Sequence, residues 1–503
     1  MAYSVTEQVT LSQLLPDVVA AQYADVVVGR LCLDSRDLRS GDCFVALPGA
    51  RVDGRAFIDV AIAQGATLVL SESDSTAVDF ETRQGCLIVS VPDLRGQLSE
   101  VAGRYFNQPS KAVTLVGITG TNGKTSCSQW LAQLLGGLND AGRGAVASIG
   151  TLGYGRVGEE LNYTGMTTPD AIQFQEILGD FVAADVKAVV AEVSSHSLVL
   201  GRVSALEFDV AVMTNISRDH MDFHGDEASY VAAKCELMKF ASLKKVVLNR
   251  DDAYFDEFAS ACHSDIITTS LLDPAADFYA RELAYHAQGI TAQLCTPEGE
   301  FPVRIPLWGD FNLHNVLSVT AAAYACGYEV EDIVVRLADL QPVSGRLETV
   351  TVASDISVVV DFAHTPDALS AALKALRKHA SGKIWCLFGC GGDRDQGKRP
   401  MMAALAEALA DQVLVTSDNP RSEDPLAIIE EIRQGFTTEQ RVSVMVDRAQ
   451  AIETVITQAG AGDIVLLAGK GHENYQIVGD NKLPFSDFAC ARLALRKRME
   501  AQP

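Results

Sequence analysis

Short apolar runs, bounded by turn residues and alternating with helical patterns, recur from Val113 towards the end of the chain and restrict it to an α/β fold. Val113–Thr119, Val186–Val193, Phe208–Thr214 and Lys245–Asn249 read as strands buried on both faces, with a helix from about Thr125 to Leu135 after the first. That rhythm predicts a mostly parallel sheet with helices on both faces. After Gln341-Pro-Val-Ser-Gly345 it restarts. Val358–Phe362, Ile384–Phe388, Gln412–Thr416 and Ile464–Ala468 predict a second, Rossmann-like α/β domain. Ahead of Asn107-Gln-Pro-Ser110, the shorter runs Cys43–Leu47, Ala66–Leu70 and Cys86–Val91 predict a smaller α/β domain. The expected domains are residues 1–107, 108–343 and 344–503, as a chain of 503 residues suggests at about 150 residues per domain.

Hydrophobic residues make up 48% of the chain and charged ones 21%, enough apolar material for several cores and no signature of disorder. Asp and Glu number 65 against 41 Lys and Arg, a formal charge of -24 that argues against a general nucleic-acid binder. Any anionic ligand must then be met by a few placed cations. The eleven cysteines include no Cys-x-x-Cys pair, and Cys386 and Cys390 bracket the end of an apolar strand, so buried free thiols in a reducing compartment are expected. Met1–Thr10 has no basic region leading into an apolar stretch, and no 18 consecutive apolar residues occur, so a soluble cytoplasmic protein is expected.

Gly117-Ile-Thr-Gly-Thr-Asn-Gly-Lys-Thr125 lies between an apolar strand and a helix. Glycines let a backbone wrap closely around phosphates, the helix start offers unpaired N–H groups, and Lys124 can reach terminal phosphates while Thr125 coordinates Mg²⁺. A strict Walker A loop would have glycine at position 118, where this chain has Ile118. The loop is a variant, and ATP is the expected ligand.

Two further segments place polar groups where open α/β sheets hold ligands. Ala191-Glu-Val-Ser-Ser-His-Ser197 sets Glu192 at the carboxyl end of a strand. Asn215-Ile-Ser-Arg-Asp-His-Met-Asp-Phe-His-Gly225 carries His220 and His224 among carboxylates, without the His-Glu-x-x-His pattern of zinc sites, and suits a hard Mg²⁺ ion better. Capping and loop roles compete with these readings, for His224 on equal terms. Asn312 and Asn315 face one side of a helix start, where capping competes with nucleotide contact.

In order along the chain, Gly120-Thr-Asn-Gly-Lys-Thr125, Glu192, His220, Gly309-Asp-Phe-Asn-Leu-His-Asn315, Gly345-Arg346 and Asp361-Phe-Ala-His-Thr-Pro366 resemble the motifs of the Mur ligases, ATP-dependent amide-forming enzymes of peptidoglycan precursor synthesis. The resemblance implies an amino-terminal UDP-sugar domain, a central ATPase domain and a carboxy-terminal amino-acid domain that closes to exclude water. It implies ATP contacts from Gly120, Thr121, Asn122, Gly123, Lys124, Thr125, Ser126, Asn315, Arg346 and Asp361. It also implies Mg²⁺ held by Thr125, Glu192, His220 and a carbamylated Lys234. His364 either orients ATP or is structural.

Within the family the chain resembles the branch that adds the third peptide residue. Leu33-Asp-Ser-Arg36 resembles a uridine-contacting motif, with Leu33 and Ser35 as the implied contacts, and Thr167, Thr168, Ser194 and Arg202 match positions holding the muramoyl peptide and pyrophosphate. Asp418-Asn-Pro-Arg421 resembles the signature of the meso-diaminopimelate-adding form, and a planar Arg421 fork suits the extra carboxylate that distinguishes this amino acid from lysine. Asp418, Asn419, Pro420, Arg421, Arg394, Gly469 and Glu473 would then form the amino-acid pocket. By itself the Asn-Pro signature is a common turn. Leu200 stands where a polar residue is expected, and Ala50-Arg-Val52 replaces a more polar loop near the uridine. The implied substrates are ATP, UDP-N-acetylmuramoyl-L-Ala-D-Glu and meso-diaminopimelate, acted on by a monomer. The rivals are the lysine-adding branch, a folylpolyglutamate synthetase, or a P-loop protein that uses ATP as a switch.

Overall fold

The computed structural model describes residues 8–16, 19–49, 52–139, 144–286, 288–352, 354–438 and 440–501; Ala50 and Arg51 of the expected uridine-side loop lie outside them. The chain divides into one unit of Met1–Asp277 with Ser318–Ile333 and another of Phe278–Leu317 with Val334–Pro503.

In the first unit, β1 (Leu31–Cys32), β2 (Cys43–Ala46), β3 (Leu68–Ser73), β4 (Asp79–Arg83) and β5 (Cys86–Pro92) form a sheet in the order β1-β2-β3-β5-β4, parallel except for β4. Its apolar face packs on the helix Leu94–Tyr105, which in turn meets the helix Ala171–Ala183; Gln175 Nε2 donates to the Ser99 carbonyl at 3.3 Å. The larger sheet contains β6 (Thr114–Thr119), β7 (Ala145–Gly150), β8 (Gly153–Arg156), β9 (Val186–Glu192), β10 (Val210–Met213), β11 (Lys245–Asn249) and β12 (Asp265–Ser270), ordered β12-β11-β10-β6-β9-β7-β8. Only β8 runs antiparallel to its neighbour here. β6 is central, and its Gly117 has no room for a side chain, since a Cβ would come within 2.9 Å of the Phe208 ring.

The second unit contains an antiparallel meander of β13 (Phe278–His286), β14 (Gly289–Thr296) and β15 (Gly299–Ile305). Its main sheet is built from β16 (Glu348–Thr349), β17 (Ser357–Asp361), β18 (Ile384–Phe388), β19 (Gln412–Val415), β20 (Val442–Val444) and β21 (Ile464–Ala468), ordered β16-β17-β21-β18-β19-β20. Along β17, Val359 faces one apolar core while Val358 and Val360 face another, and β18 and β21 alternate likewise. Burial on both faces is why these strands read as unbroken apolar runs. A hairpin of β22 (Tyr475–Val478) and β23 (Asn481–Pro484) follows.

The apolar runs fall on strands, with ends moved by up to three residues. β1, β4, β7, β8, β12, β16, β20, β22, β23 and the meander have no counterpart among them. β4 and β23 are largely exposed polar segments, so neither carries a run of core side chains to mark it.

Candidate active site

The parallel order of β10, β6 and β9 brings three strand ends together. In that register Ile118 of β6 lies beside Glu192 of β9, and Thr119 beside Met213 of β10. The glycine loop leaves β6 with Gly120 at φ +144° and Gly123 at φ +85°, and a Cβ at position 120 would come within 1.9 Å of Thr214 Oγ1. The loop is tied to the end of β10. The Thr121 N–H donates to the Asn215 carbonyl at 2.7 Å, the Asn122 N–H to Asn215 Oδ1 at 3.1 Å, and Thr214 Oγ1 to the Asn122 carbonyl at 2.6 Å. The helix Lys124–Asn139 starts inside the motif, with Thr125 and Ser126 buried.

Two lysines converge on one carbonyl. Lys124 Nζ donates to Gly120 O at 2.8 Å and Thr121 O at 2.9 Å, and Lys234 Nζ donates to Gly120 O at 2.7 Å. Lys234 is 1% exposed and lies 4.8 Å from the Tyr230 ring centre. Burial, helped by the charge of Lys124 and opposed by Asp219, pushes its ammonium well below the ordinary lysine range. The Tyr230 phenol, pushed up to about 12 by burial, meets Thr121 Oγ1 at 2.9 Å.

Glu192 is 1% exposed and surrounded by donors. Thr125 Oγ1 donates to its Oε2 at 3.0 Å, as does Thr151 Oγ1 at 3.0 Å, and the Thr151 N–H donates to Oε1 at 2.9 Å. Gly150 makes this possible, because a Cβ there would lie 2.1 Å from Oε1. Thr151 Oγ1 continues to Thr167 Oγ1 at 3.1 Å. Thr168 Oγ1 donates to the Glu192 carbonyl at 2.8 Å and to Ser194 Oγ at 3.3 Å, while Arg202 Nη1 donates to the Thr168 carbonyl at 3.0 Å. One hydrogen-bonded chain therefore joins Thr125, Glu192, Thr167, Thr168, Ser194 and Arg202.

His220 sits elsewhere on this rim. It is left-handed, at φ +55°, with Nε2 3.4 Å from Asp219 and its ring edge-on to His196 at 4.8 Å. His224 Nε2 meets Ser195 Oγ at 2.9 Å, so His224 has the structural partner that its sequence reading allowed. Among the described residues no three His, Cys, Asp or Glu side chains converge as a metal cluster. The donors that do converge, Thr125 Oγ1 and Glu192 Oε2, are hard oxygens of the kind Mg²⁺ takes. Leu33 and Ser35 flank Asp34, which accepts the Arg36 N–H at 2.9 Å and caps a short 3₁₀ turn. Leu200 closes the short helix after Ser194, its N–H donating to the His196 carbonyl at 2.9 Å.

In the second unit, Asp361 ends β17 and accepts the N–H groups of Leu347 at 2.7 Å and Ala363 at 2.8 Å. Desolvation raises its carboxyl, against the pull of Arg346, whose guanidinium lies 5.1 Å from the Phe362 ring centre. His364 Nδ1 meets the Phe362 carbonyl at 2.8 Å. Asn312 and Asn315 lie within the helix Asp310–Ala325. Asn312 Nδ2 donates to the Trp308 carbonyl at 2.8 Å, so this side chain is no N-cap acceptor, and Asn315 Nδ2 reaches Asn312 Oδ1 at 3.4 Å.

The ends of β18, β19 and β21 gather the remaining expected residues. Arg421, at φ +51°, donates Nη1 to the Gly392 carbonyl at 2.7 Å, and its backbone is held by the hairpin through Ile477 O at 3.1 Å and the Gly479 N–H at 2.7 Å. Asn419 Nδ2 donates to Glu473 Oε2 at 2.8 Å. Gly469 needs its φ of +117° and its missing side chain, because a Cβ would meet Asp418 Oδ2 at 2.6 Å. Pro420 packs its carbonyl where a Cβ on Gly392 would be 1.9 Å away, and Arg394 Nη1 donates to the Asp393 carbonyl at 3.1 Å. Sequence reasoning missed Thr151, Lys470 and the buried pair Arg448–Asp487, all next to recognised motifs. A lysine inside Gly469-Lys-Gly-His-Glu473 was the available signal for one of them.

A variant phosphate loop at the centre of a parallel sheet, with a buried carboxylate on the neighbouring strand end and a second α/β sheet following, defines the class. The chain belongs to the Mur ligase family. It matches the Mur ligase middle domain over residues 118–323, the Mur ligase glutamate ligase domain over 345–471, and the catalytic domain of the Mur ligase family over 28–105. It is 47% identical to the UDP-N-acetylmuramoyl-L-alanyl-D-glutamate--2,6-diaminopimelate ligase of Ectopseudomonas mendocina (strain ymp), covering 96% of this chain and 98% of that one. The protein of the same name from Coxiella burnetii (strain RSA 493 / Nine Mile phase I) is 41% identical, over 96% and 99%. A solved structure of a protein with this name superposes with a TM-score of 0.74 at 36% identity, covering 98% of this chain and all of that one (100%). At the level of fold alone the chain also resembles folylpolyglutamate synthase of Mycobacterium tuberculosis, with a TM-score of 0.61 at 18% identity, over 81% and 96%.

Proposed function

We propose that the protein is the ATP-dependent ligase that joins meso-diaminopimelate to the D-Glu γ-carboxylate of UDP-N-acetylmuramoyl-L-Ala-D-Glu. The observation that carries this reading is the hydrogen-bonded chain from Thr125 through Glu192 to Thr168, Ser194 and Arg202, which links a nucleotide loop to polar groups suited to a phosphorylated, carboxylate-bearing substrate. The γ-carboxylate attacks the γ-phosphorus of ATP, the bond to the β-phosphate oxygen breaks, and ADP leaves an acyl phosphate. The amine of diaminopimelate adds to the acyl carbon, loses a proton, and expels phosphate to leave the amide.

Phosphoryl transfer of this kind is a task of positioning and charge stabilisation. Lys124, with Gly120, Thr121, Asn122, Gly123 and Ser126, cradles the phosphates; Arg202, Thr167 and Ser194 orient the acidic substrate. Thr125 and Glu192 would hold Mg²⁺, joined by His220 and a carbamate on Lys234. Bound there, Mg²⁺ supplies positive charge to the phosphate oxygens. Lys234 suits carbamylation because addition to CO₂ needs a neutral amine, the form its burial favours. Asn315, Arg346 and Asp361 contact the nucleotide in this reading, Leu33 and Ser35 the uridine, and Arg394 and Arg421 the carboxylates of the amino acid. The eleven cysteines are free thiols, which suits a reducing compartment such as the cytoplasm, and no helix among the described residues is long and apolar enough to cross a membrane.

Phosphate release is measured with ATP and the UDP-muramoyl dipeptide, adding meso-diaminopimelate, L-lysine or no amine. Release that requires meso-diaminopimelate is expected. Turnover with lysine alone, or equal turnover without amine, overturns the assignment. Arg421→Ala is expected to raise the KM for diaminopimelate far more than that for ATP.

A further inference from the structure

The pocket assigned to the amino acid contains a lysine to which that reading gives no task. Lys470 is 0% exposed and lies just after β21. Its Nζ is 3.0 Å from Asn419 Oδ1, 3.1 Å from Glu473 Oε2 and 3.4 Å from Asp418 Oδ1. An ammonium has three N–H donors, and these three acceptors use them all. Lys470 therefore has no donor left for a substrate.

Its effect falls on the residues that face the ligand. Asn419 Oδ1 also accepts the Ile477 N–H at 2.9 Å, which fixes the amide so that Nδ2 points at Glu473 Oε2, 2.8 Å away. Glu473 Oε2 is thus occupied by two internal donors. Its Oε1 has the Tyr475 hydroxyl at 3.5 Å. The two oxygens of one carboxylate are made unequal. Charge is set in the same way, since Asp418 and Glu473 together bring two negative charges and Lys470 cancels one. Arg448, also buried, is spoken for by Asp487 at 2.6 Å. The geometry points to Lys470 as a positioning residue that fixes Glu473 with Oε1 turned to the ammonium of the incoming amino acid and leaves one negative charge to receive it.

This rests on the amino-acid reading of the pocket, so the experiment separates the two. Steady-state KM values for meso-diaminopimelate, ATP and the UDP-dipeptide are measured for the full-length wild type, Lys470→Met, Glu473→Gln and the double variant, with thermal melting as a folding control. Lys470→Met is expected to raise the diaminopimelate KM by at least about tenfold while the other two KM values hold within about twofold. The double variant is expected to match Glu473→Gln alone, because a residue acting through Glu473 has nothing left to act on. Additive losses, an equal rise in the ATP KM, or no change in Lys470→Met overturn the inference. If Lys470→Met does not fold, the double variant, which removes one charge of each sign, carries the test through its comparison with Glu473→Gln; a further loss of diaminopimelate affinity overturns it. A Glu473→Gln enzyme with an unchanged diaminopimelate KM overturns the pocket reading itself, and this inference with it.

Discussion

Arg448→Met tests the buried charge that braces the carboxyl end of the second unit's main sheet. Arg448 and Asp487 are both 0% exposed at their side chains and form a fork, Nε to Oδ1 at 2.7 Å and Nη2 to Oδ2 at 2.6 Å. Nη2 also donates to the Ala468 carbonyl at 3.0 Å and Nη1 to that of Ser417 at 3.5 Å, the residues just ahead of Gly469 and Asp418. Methionine fills much of the same space but leaves the Asp487 carboxylate buried without its cation, a change that costs about 3–5 kcal/mol. At about 1.4 kcal/mol per factor of ten, amide exchange from β21 should accelerate by roughly two to three and a half orders of magnitude, where it proceeds by global opening of this unit. Hydrogen exchange resolved by segment reads β21 separately from β9 of the first unit, whose protection should hold. Arg448→Met/Asp487→Leu removes both charges and should return to within about 1 kcal/mol of wild type. A single variant costing under about 1 kcal/mol, or a double variant as unstable as the single, would refute the reasoning.

Depleting bicarbonate and CO₂ should lower phosphate release and restoring them should recover it, while Lys234→Met should lose about a hundredfold or more and ignore both treatments; intact mass is expected to show the added CO₂ on Lys234 only in the active protein. Arg202→Ala should raise the KM for the UDP-dipeptide by about tenfold or more with little change for ATP, as steady-state kinetics would read. Glu407 accepts the Thr437 N–H at 2.9 Å, the Thr438 N–H at 2.7 Å and both hydroxyls at 2.8 Å, which lowers its carboxyl to about 2. Its folded value lies below the unfolded one, so its contribution is fully present above the ordinary carboxylate range and is lost as pH falls towards 2. Acid titration of stability should therefore flatten in Glu407→Gln over that window.

Most of the central parallel strands were legible because burial on both faces demands an unbroken apolar run, whereas β7, buried but built of small and polar residues such as Ala147 and Ser148, was not. Val465, Leu466 and Leu467 must all be apolar, whichever face each one meets. The glycine loop was legible because Gly120 and Gly123 adopt conformations open to few other residues. Thr151 was invisible for the opposite reason. A threonine after a strand is ordinary, and only the packing of β7 beside β9 brings its N–H and hydroxyl to Glu192. Lys470 and Arg448 were hidden by their type, since a lysine or arginine in sequence reads as solvated and nothing local announces full burial. His220 stands out in the sequence as a residue, but the left-handed turn that aims it at Asp219 and His196 is a property of the folded loop.

The charge of -24 makes the handling of the site cations consequential. Several other arginines are paired with carboxylates, as in Arg30–Asp42 at 2.6 Å and Arg399–Glu423 at 2.9 Å. Four of the cations assigned to ligands donate to main-chain carbonyls, Lys124 to Gly120, Arg202 to Thr168, Arg394 to Asp393 and Arg421 to Gly392, while Arg346 acts on the Asp361 carboxylate. A carbonyl fixes the direction of a guanidinium or ammonium without cancelling its charge, so a polyanionic substrate meets cations that are held in place and still carry their charge. A carboxylate placed at any of these carbonyls would fix the cation equally well and reduce its hold on the ligand. Gly392→Asp beside Arg421 is therefore expected to weaken diaminopimelate binding beyond the steric cost shared by Gly392→Asn, and equal KM values for the two variants would show that charge retention is not what the carbonyl provides.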